Sequence, residues 1–161
     1  MPNINAKGAG DSFYPEYEIV TTEPVSAIAL TKGRLYTKGS AAATANQLVA
    51  AGTTGFINGL YQATRTISTA GAAGANTVQC YGPGSRIGLP AKTANLHAGQ
   101  LVKYDTTNHN VELFTGSATF TVTEYASKIG RILEIYTKTS INTPKQVTAI
   151  GDIVIVELAR G

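Results

Sequence analysis

Residues 96–158 contain four runs, LHAGQLVKYDTTNHNVELF (96–114), TFTVTEY (119–125), KIGRILEIY (128–136) and GDIVIVEL (151–158), whose reading decides the fold. In the first run Val102 and Tyr104 alternate with Leu101 and Lys103, and Val111 and Leu113 flank Glu112; in the second, a threonine separates Phe120 from Val122. A period of two is the signature of strands with one face buried. Asp105-Thr106-Thr107-Asn108-His109-Asn110 interrupts the first run. Asp and Asn tolerate left-handed backbone and bond neighbouring amides, so this segment is expected to be a hairpin loop. The whole stretch reads as a meander of strands.

Working outward, 161 residues suit one domain with a core of its own. Charged residues make up only 14%, below the usual quarter, and Gly, Ala and Thr are abundant, which points to a surface of small uncharged groups. A single cysteine, Cys80, excludes an intrachain disulfide. No charged start precedes an apolar run of signal-peptide length, and no apolar run nears the roughly 20 residues that span a bilayer. The expectation is a soluble protein made in the cytoplasm.

Charge is unevenly spread. Up to Glu23 one lysine meets four acids; from Pro24 to Tyr104 there are seven bases (Lys32, Arg34, Lys38, Arg65, Arg86, Lys92, Lys103) and no acid; from Asp105 onward five bases meet six acids. Such a basic zone suits an acidic protein surface, or the acidic arm of a neighbouring copy. The bases are dispersed, which argues against nucleic acid.

Residues 1–18 contain Pro2, Gly8, Gly10 and Pro15 with little periodicity and read as an N-terminal arm ahead of a single β domain, 19–161. Phe13, Tyr14 and Tyr17 are unusual in a disordered tail. Two readings stand: they cover the protein's own barrel, or they contact a partner. EIVTTEPVSAIALTKGRLYTK (18–38) reads as two strands broken at Glu23-Pro24. Ser40, an alanine-rich interior and Gly52 suit a short helix over 40–52, with a flexible loop as the alternative. FINGLYQATRTIS (56–68) gives a further strand and TAGAAGAN (69–76) a loop of small residues. NTVQCY (76–81) and SRIGLP (85–90) form a pair of short strands around Gly82-Pro83-Gly84, and Gly99, Gly130 and Gly151 allow the bends that close a small barrel.

No catalytic pattern emerges. Cys80 has no base or cation beside it in sequence and reads as a buried small hydrophobe on a strand. His97 and His109 are isolated and lack carboxylates at ligand spacing. Gly82-Pro83-Gly84-Ser85 lacks the lysine and following helix of a phosphate loop, and the acids fall singly. The reading is a protein that is not an enzyme and holds no metal or cofactor.

The order of GLYQATRTISTAGAAGANTVQCYGPGSRIGLPA, AGQLVKYDTTNHNVEL, KIGRILE and GDIVIVEL, which together span roughly residues 55–158, resembles the small head decoration, or cement, proteins of tailed phages and related viruses. A more distant likeness is to the decoration protein of lambdoid phages. The resemblance implies an all-β small barrel or sandwich-like domain. It implies a homo-oligomer, a trimer or sometimes a dimer, bound to the major capsid protein on the exterior of the virion and stabilising the shell by bridging capsomers.

The arm's composition and the basic middle nominate Phe13, Tyr14, Tyr17, Lys32 and Arg34 as capsid-contact residues. A second reading is a β module for carbohydrate or single-stranded nucleic acid, because Tyr36, Tyr61, Tyr81 and Tyr104 lie near basic residues and aromatic platforms beside cations serve either ligand.

Overall fold

A computed structural model of the chain describes residues 6–51, 55–56, 58–67, 76–116, 119, 121–139 and 143–159. After a single 3-10 turn at Pro15–Tyr17 come β1 (Val20–Val25), β2 (Leu35–Lys38), β3 (Leu48–Val49), β4 (Tyr61–Ala63), β5 (Asn76–Tyr81), β6 (Arg86–Pro90), β7 (Leu101–Asp105) and β8 (Asn110–Leu113). One short helix, α1 (Val122–Ser127), precedes the long β9 (Lys128–Tyr136) and the last strand, β10 (Ile153–Leu158). The protein is all-β.

The strands form two units, a small closed barrel in the order β1-β3-β2-β4-β5 and a five-stranded sheet in the order β6-β10-β9-β7-β8. Val25, Leu30, Tyr36, Leu48, Ala63, Val78 and Cys80 fill the barrel. A larger core joins barrel to sheet: Leu35 and Tyr81 from the barrel meet Ile87, Val102, Ile132, Val154 and Val156 from the sheet. Gln62, fully buried, ties the two together by donating its Nε2 to the carbonyls of Gly33 (3.1 Å) and Gly88 (2.9 Å).

The expected hairpin at 105–110 is present. Asp105 pairs with Asn110 across the β7–β8 ladder, and its carboxylate accepts the amides of Thr107 and Asn108, while His109 takes the positive φ of 58° that closes the turn. Four other expectations are corrected.

The meander is broken because β9 pairs with β7, not β8; the connection through α1 carries the chain back across the sheet. TFTVTEY does not continue as a strand: Phe120 lies outside the described residues, and Val122–Ser127 is helical, started by a reciprocal cap in which Thr121 Oγ1 accepts the Glu124 amide and Glu124 accepts the Thr121 amide. Residues 40–46 form turns and Leu48–Val49 a strand where a helix was expected, since Leu48 is drawn into the barrel between β1 and β2. β1 runs through Pro24, whose flank away from β5 is joined by β3 only at Val25, so a missing N–H is tolerated there.

Two further expectations need qualification. β5 and β6 are consecutive but not paired: the Gly82–Ser85 turn (Ser85 N–H to Gly82 O, 3.1 Å) passes the chain from the barrel to the sheet. The loop expected at 69–76 lies, up to residue 75, outside the described residues.

Candidate functional site

The N-terminal segment is folded onto the sheet. Glu18 organises it, accepting hydrogen bonds from Ser12 Oγ (2.8 Å) and the amides of Phe13 (3.0 Å) and Tyr14 (3.2 Å). This loop turns Phe13 and Tyr14 inward, where they pack with Tyr136, Ile153 and Ile155 on the sheet face opposite the main core. Phe13 is 1% exposed. These two residues cover the protein's own body, so their nomination as capsid contacts is corrected: a shell surface would reach neither ring without unfolding the segment.

Tyr17 is placed differently. The 3-10 turn at Pro15–Tyr17 sends it outward, 47% exposed, and Ile19 and Val20 follow at 44% and 55%. The backbone beneath is fixed, because Ile19 donates its amide to Ser85 Oγ (2.8 Å) and its carbonyl accepts from Gly82 (2.8 Å). The guanidinium of Arg86 lies 3.8 Å from the Tyr17 ring centroid and also pairs with Glu157 at 3.4 Å. The result is an apolar ridge on rigid β structure with a cation at its side.

The basic zone is largely neutralised within the chain. Lys32 pairs with Asp11, Lys38 with Glu23, Arg86 with Glu157, Lys92 with Asp105 and Glu112, and Lys103 with Glu112. Lys32 therefore links the N-terminal segment to the barrel through an exposed ion pair. Arg34 stands apart from both Lys32's ion pair and the ridge, half-buried in a cleft of about 180 Å³ lined also by Tyr104 and His109. Of the three nominated aromatics only Tyr17 is exposed, and Ile19, Val20 and Arg86, which the sequence did not single out, lie close to it in the chain or against its ring. The available signal was the consecutive pair Ile19-Val20 at a strand start, where alternation would put only one apolar side chain inward.

The tyrosines proposed as a ligand platform do not form one. Tyr36, Tyr81 and Tyr104 are buried, and Tyr61 is half-buried with Lys38 over its ring at 5.3 Å. Cys80 is fully buried in the barrel, and burial pushes its thiol up to about 12, the opposite of an activated nucleophile. His97 is exposed and bonds neighbouring backbone; His109 closes the β7–β8 turn. Among the described residues no group of three His, Cys, Asp or Glu side chains is placed to hold a metal ion.

No protein-family model matches the chain, and a search of curated proteins found no match.

Proposed function

We propose that the protein is a structural capsid decoration protein that binds the exterior of a viral head and bridges neighbouring capsomers. The observation that carries this reading is the run of Tyr17, Ile19 and Val20, three large apolar side chains exposed within four residues of chain, whereas Leu113, Tyr125, Val147 and Ile150 are exposed elsewhere. The order of strand motifs over residues 55–158, similar to that of the cement proteins, supports it.

A rigid β body that presents an apolar ridge loses little freedom on docking, so little of the contact energy is offset by ordering. Tyr17 with Arg86 beside it suits the centre of such a contact, because aromatic and arginine side chains dominate interface energetics. Many copies on a repeating lattice then reinforce one another, and selective binding to the expanded shell stabilises that state by linkage.

The test is co-sedimentation with expanded heads stripped of decoration, after the mass of the protein in solution has been measured. Stoichiometric binding with a raised shell-disruption temperature is the expected result. A protein that leaves such shells unbound at micromolar concentration overturns the reading.

A further inference from the structure

The acids of the chain divide by partner. Six of the ten, Asp11, Glu23, Asp105, Glu112, Asp152 and Glu157, pair with a lysine or arginine. Glu18 and Glu124 accept backbone amides. Glu16, exposed on the 3-10 turn, and Glu134 do neither, and of these two only Glu134 meets other side chains. Its partners are the hydroxyls of Tyr14 and Tyr136, and both donate to the same oxygen, Oε2. Oε1 accepts no hydrogen bond from any described residue.

This carboxylate, on an exposed residue, lines an open cleft of about 550 Å³. The cleft exists because the sheet is irregular here. On the β10 side Ile155 pairs with Glu134 and Val156 with Ile132, so Leu133 is the extra residue of a bulge. On the other flank Ile132 bonds Gly99 and Gln100 (2.8 and 2.9 Å), and Ile135 next accepts from Lys145 (2.9 Å), which leaves a gap beside Leu133 and Glu134. Leu133, Pro144, Tyr14 and Tyr136 form the walls. Lys145 is the one cation of the lining, and its ammonium is held by the buried Asp152, which also accepts the amides of Ala149 (2.8 Å) and Lys138 (3.2 Å).

We propose that this cleft takes the guanidinium of an arginine side chain carried by a partner polypeptide. The groups that Glu134, Tyr14 and Tyr136 offer are acceptors: one free carboxylate oxygen and two phenolic oxygens whose protons are already committed to Oε2. Burial, then the neighbouring carboxylate, raises the pKa of both phenols, Tyr14 to about 12, so at neutral pH they stay protonated and hold Glu134 in place. Three clustered acceptors bearing a negative charge select a cation rich in donors, and the planar five-donor guanidinium fits them better than a compact ammonium does. The apolar walls accommodate the side-chain methylenes. This site adjoins the Tyr17 ridge, because the Tyr14 ring packs edge-on against Tyr17 at 6.2 Å, but it does not rest on the capsid reading.

The experiment follows backbone amide shifts while a blocked Gly-Arg-Gly peptide, its citrulline counterpart or agmatine is added to the full chain. The arginine peptide is expected to give saturable shifts confined to residues 133–136 and 144–146, weakening as salt rises. The citrulline peptide, which is neutral, is expected to bind at least about tenfold more weakly. Glu134→Gln keeps an acceptor for both tyrosyl hydroxyls while removing the charge, and an equal loss of about tenfold is expected with the spectrum otherwise retained. Shifts scattered over the surface, equal binding of citrulline, or binding of agmatine with exclusion of the peptide would each overturn the proposal. The citrulline comparison needs no variant and so does not depend on how Glu134→Gln folds.

Discussion

The ring of Phe13 lies directly on the backbone of Gly88: a Cβ at Gly88 would stand 2.6 Å from Cε2 of Phe13 and 3.0 Å from Cγ2 of Ile153. The absence of a side chain on the middle residue of β6 is what admits the N-terminal segment to the sheet. Phe13→Ala is expected to cost about 3–5 kcal/mol, and Gly88→Ala, which crowds the same ring, about 1–3 kcal/mol. Urea titration of the two variants checks both. By the same geometry, removing residues 1–17 uncovers Ile153, Ile155 and Tyr136, so that truncation is expected to aggregate or melt early.

For that reason the ridge must be tested by point substitutions. Tyr17→Ser and Val20→Ser alter side chains that are about half exposed, so Val20→Ser is expected to move stability by about 0.5 kcal/mol and Tyr17→Ser, which also loses the Arg86 and Tyr14 contacts, by about 1–2 kcal/mol. Shell occupancy in the co-sedimentation assay should nonetheless fall by about tenfold or more for the double variant. Unchanged occupancy would remove the ridge from the contact.

The sequence carried the β class, the 105–110 hairpin and the inward Cys80, because each follows from local pattern: alternation, turn chemistry, and a small apolar residue on a strand. It was silent on how β9 leaves the hairpin, because pairing partners are set by packing of distant residues. The seat of the arm was half legible. IVIVEL places Ile153 and Ile155 opposite Val154 and Val156, and a strand apolar on both faces needs two covers. One is the main core and the other is Phe13 with Tyr14. The start of α1 was also written in Thr121-Val122-Thr123-Glu124, a capping-box pattern that the threonine-rich alternation around it disguised. Glu134 gave no sign of being unusual, since its distinction lies in the hydroxyls of Tyr14 and Tyr136, one of them 120 residues away, that meet it only in the fold.

Gln62 offers a sharper test of how barrel and sheet are joined. Its Nε2 serves two carbonyls, Gly33 and Gly88, with no exposure to solvent. Gln62→Leu is expected to orphan both acceptors at a cost of about 1–3 kcal/mol each. Gln62→Glu should do more damage at neutral pH than at low pH, because only the protonated acid has a donor to offer a carbonyl. Denaturation midpoints for Gln62→Glu that fail to improve relative to wild type between neutral and acidic pH would contradict this assignment.

Cys80 provides a reporter of opening without any substitution. Its sulfur is fully buried and its thiol is pushed up to about 12, first by burial and then by the carboxylate of Glu23. Labelling by a thiol reagent is therefore expected to proceed only through unfolding of the barrel, at a rate that rises with denaturant in step with the global transition. Fast labelling of the native protein would show that the barrel opens locally.

His109 should make stability depend on pH in a defined direction. Its Nδ1 lies 3.4 Å from the Tyr104 hydroxyl; burial lowers its pKa, Arg34 lowers it further, and Asp105 opposes the shift. With the native pKa below the usual value of about 6.5, the unfolded chain takes up this proton first as pH falls. The contribution of His109 is thus fully present above about pH 6.5 and is lost as pH drops through the native pKa. His109→Asn keeps a residue that tolerates the positive φ of 58° and removes the titration. Urea midpoints measured from neutral to mildly acid pH should fall more steeply for wild type than for His109→Asn. Parallel curves would mean that the imidazole is as free to protonate in the folded turn as in the unfolded chain, and that Arg34 does not face it.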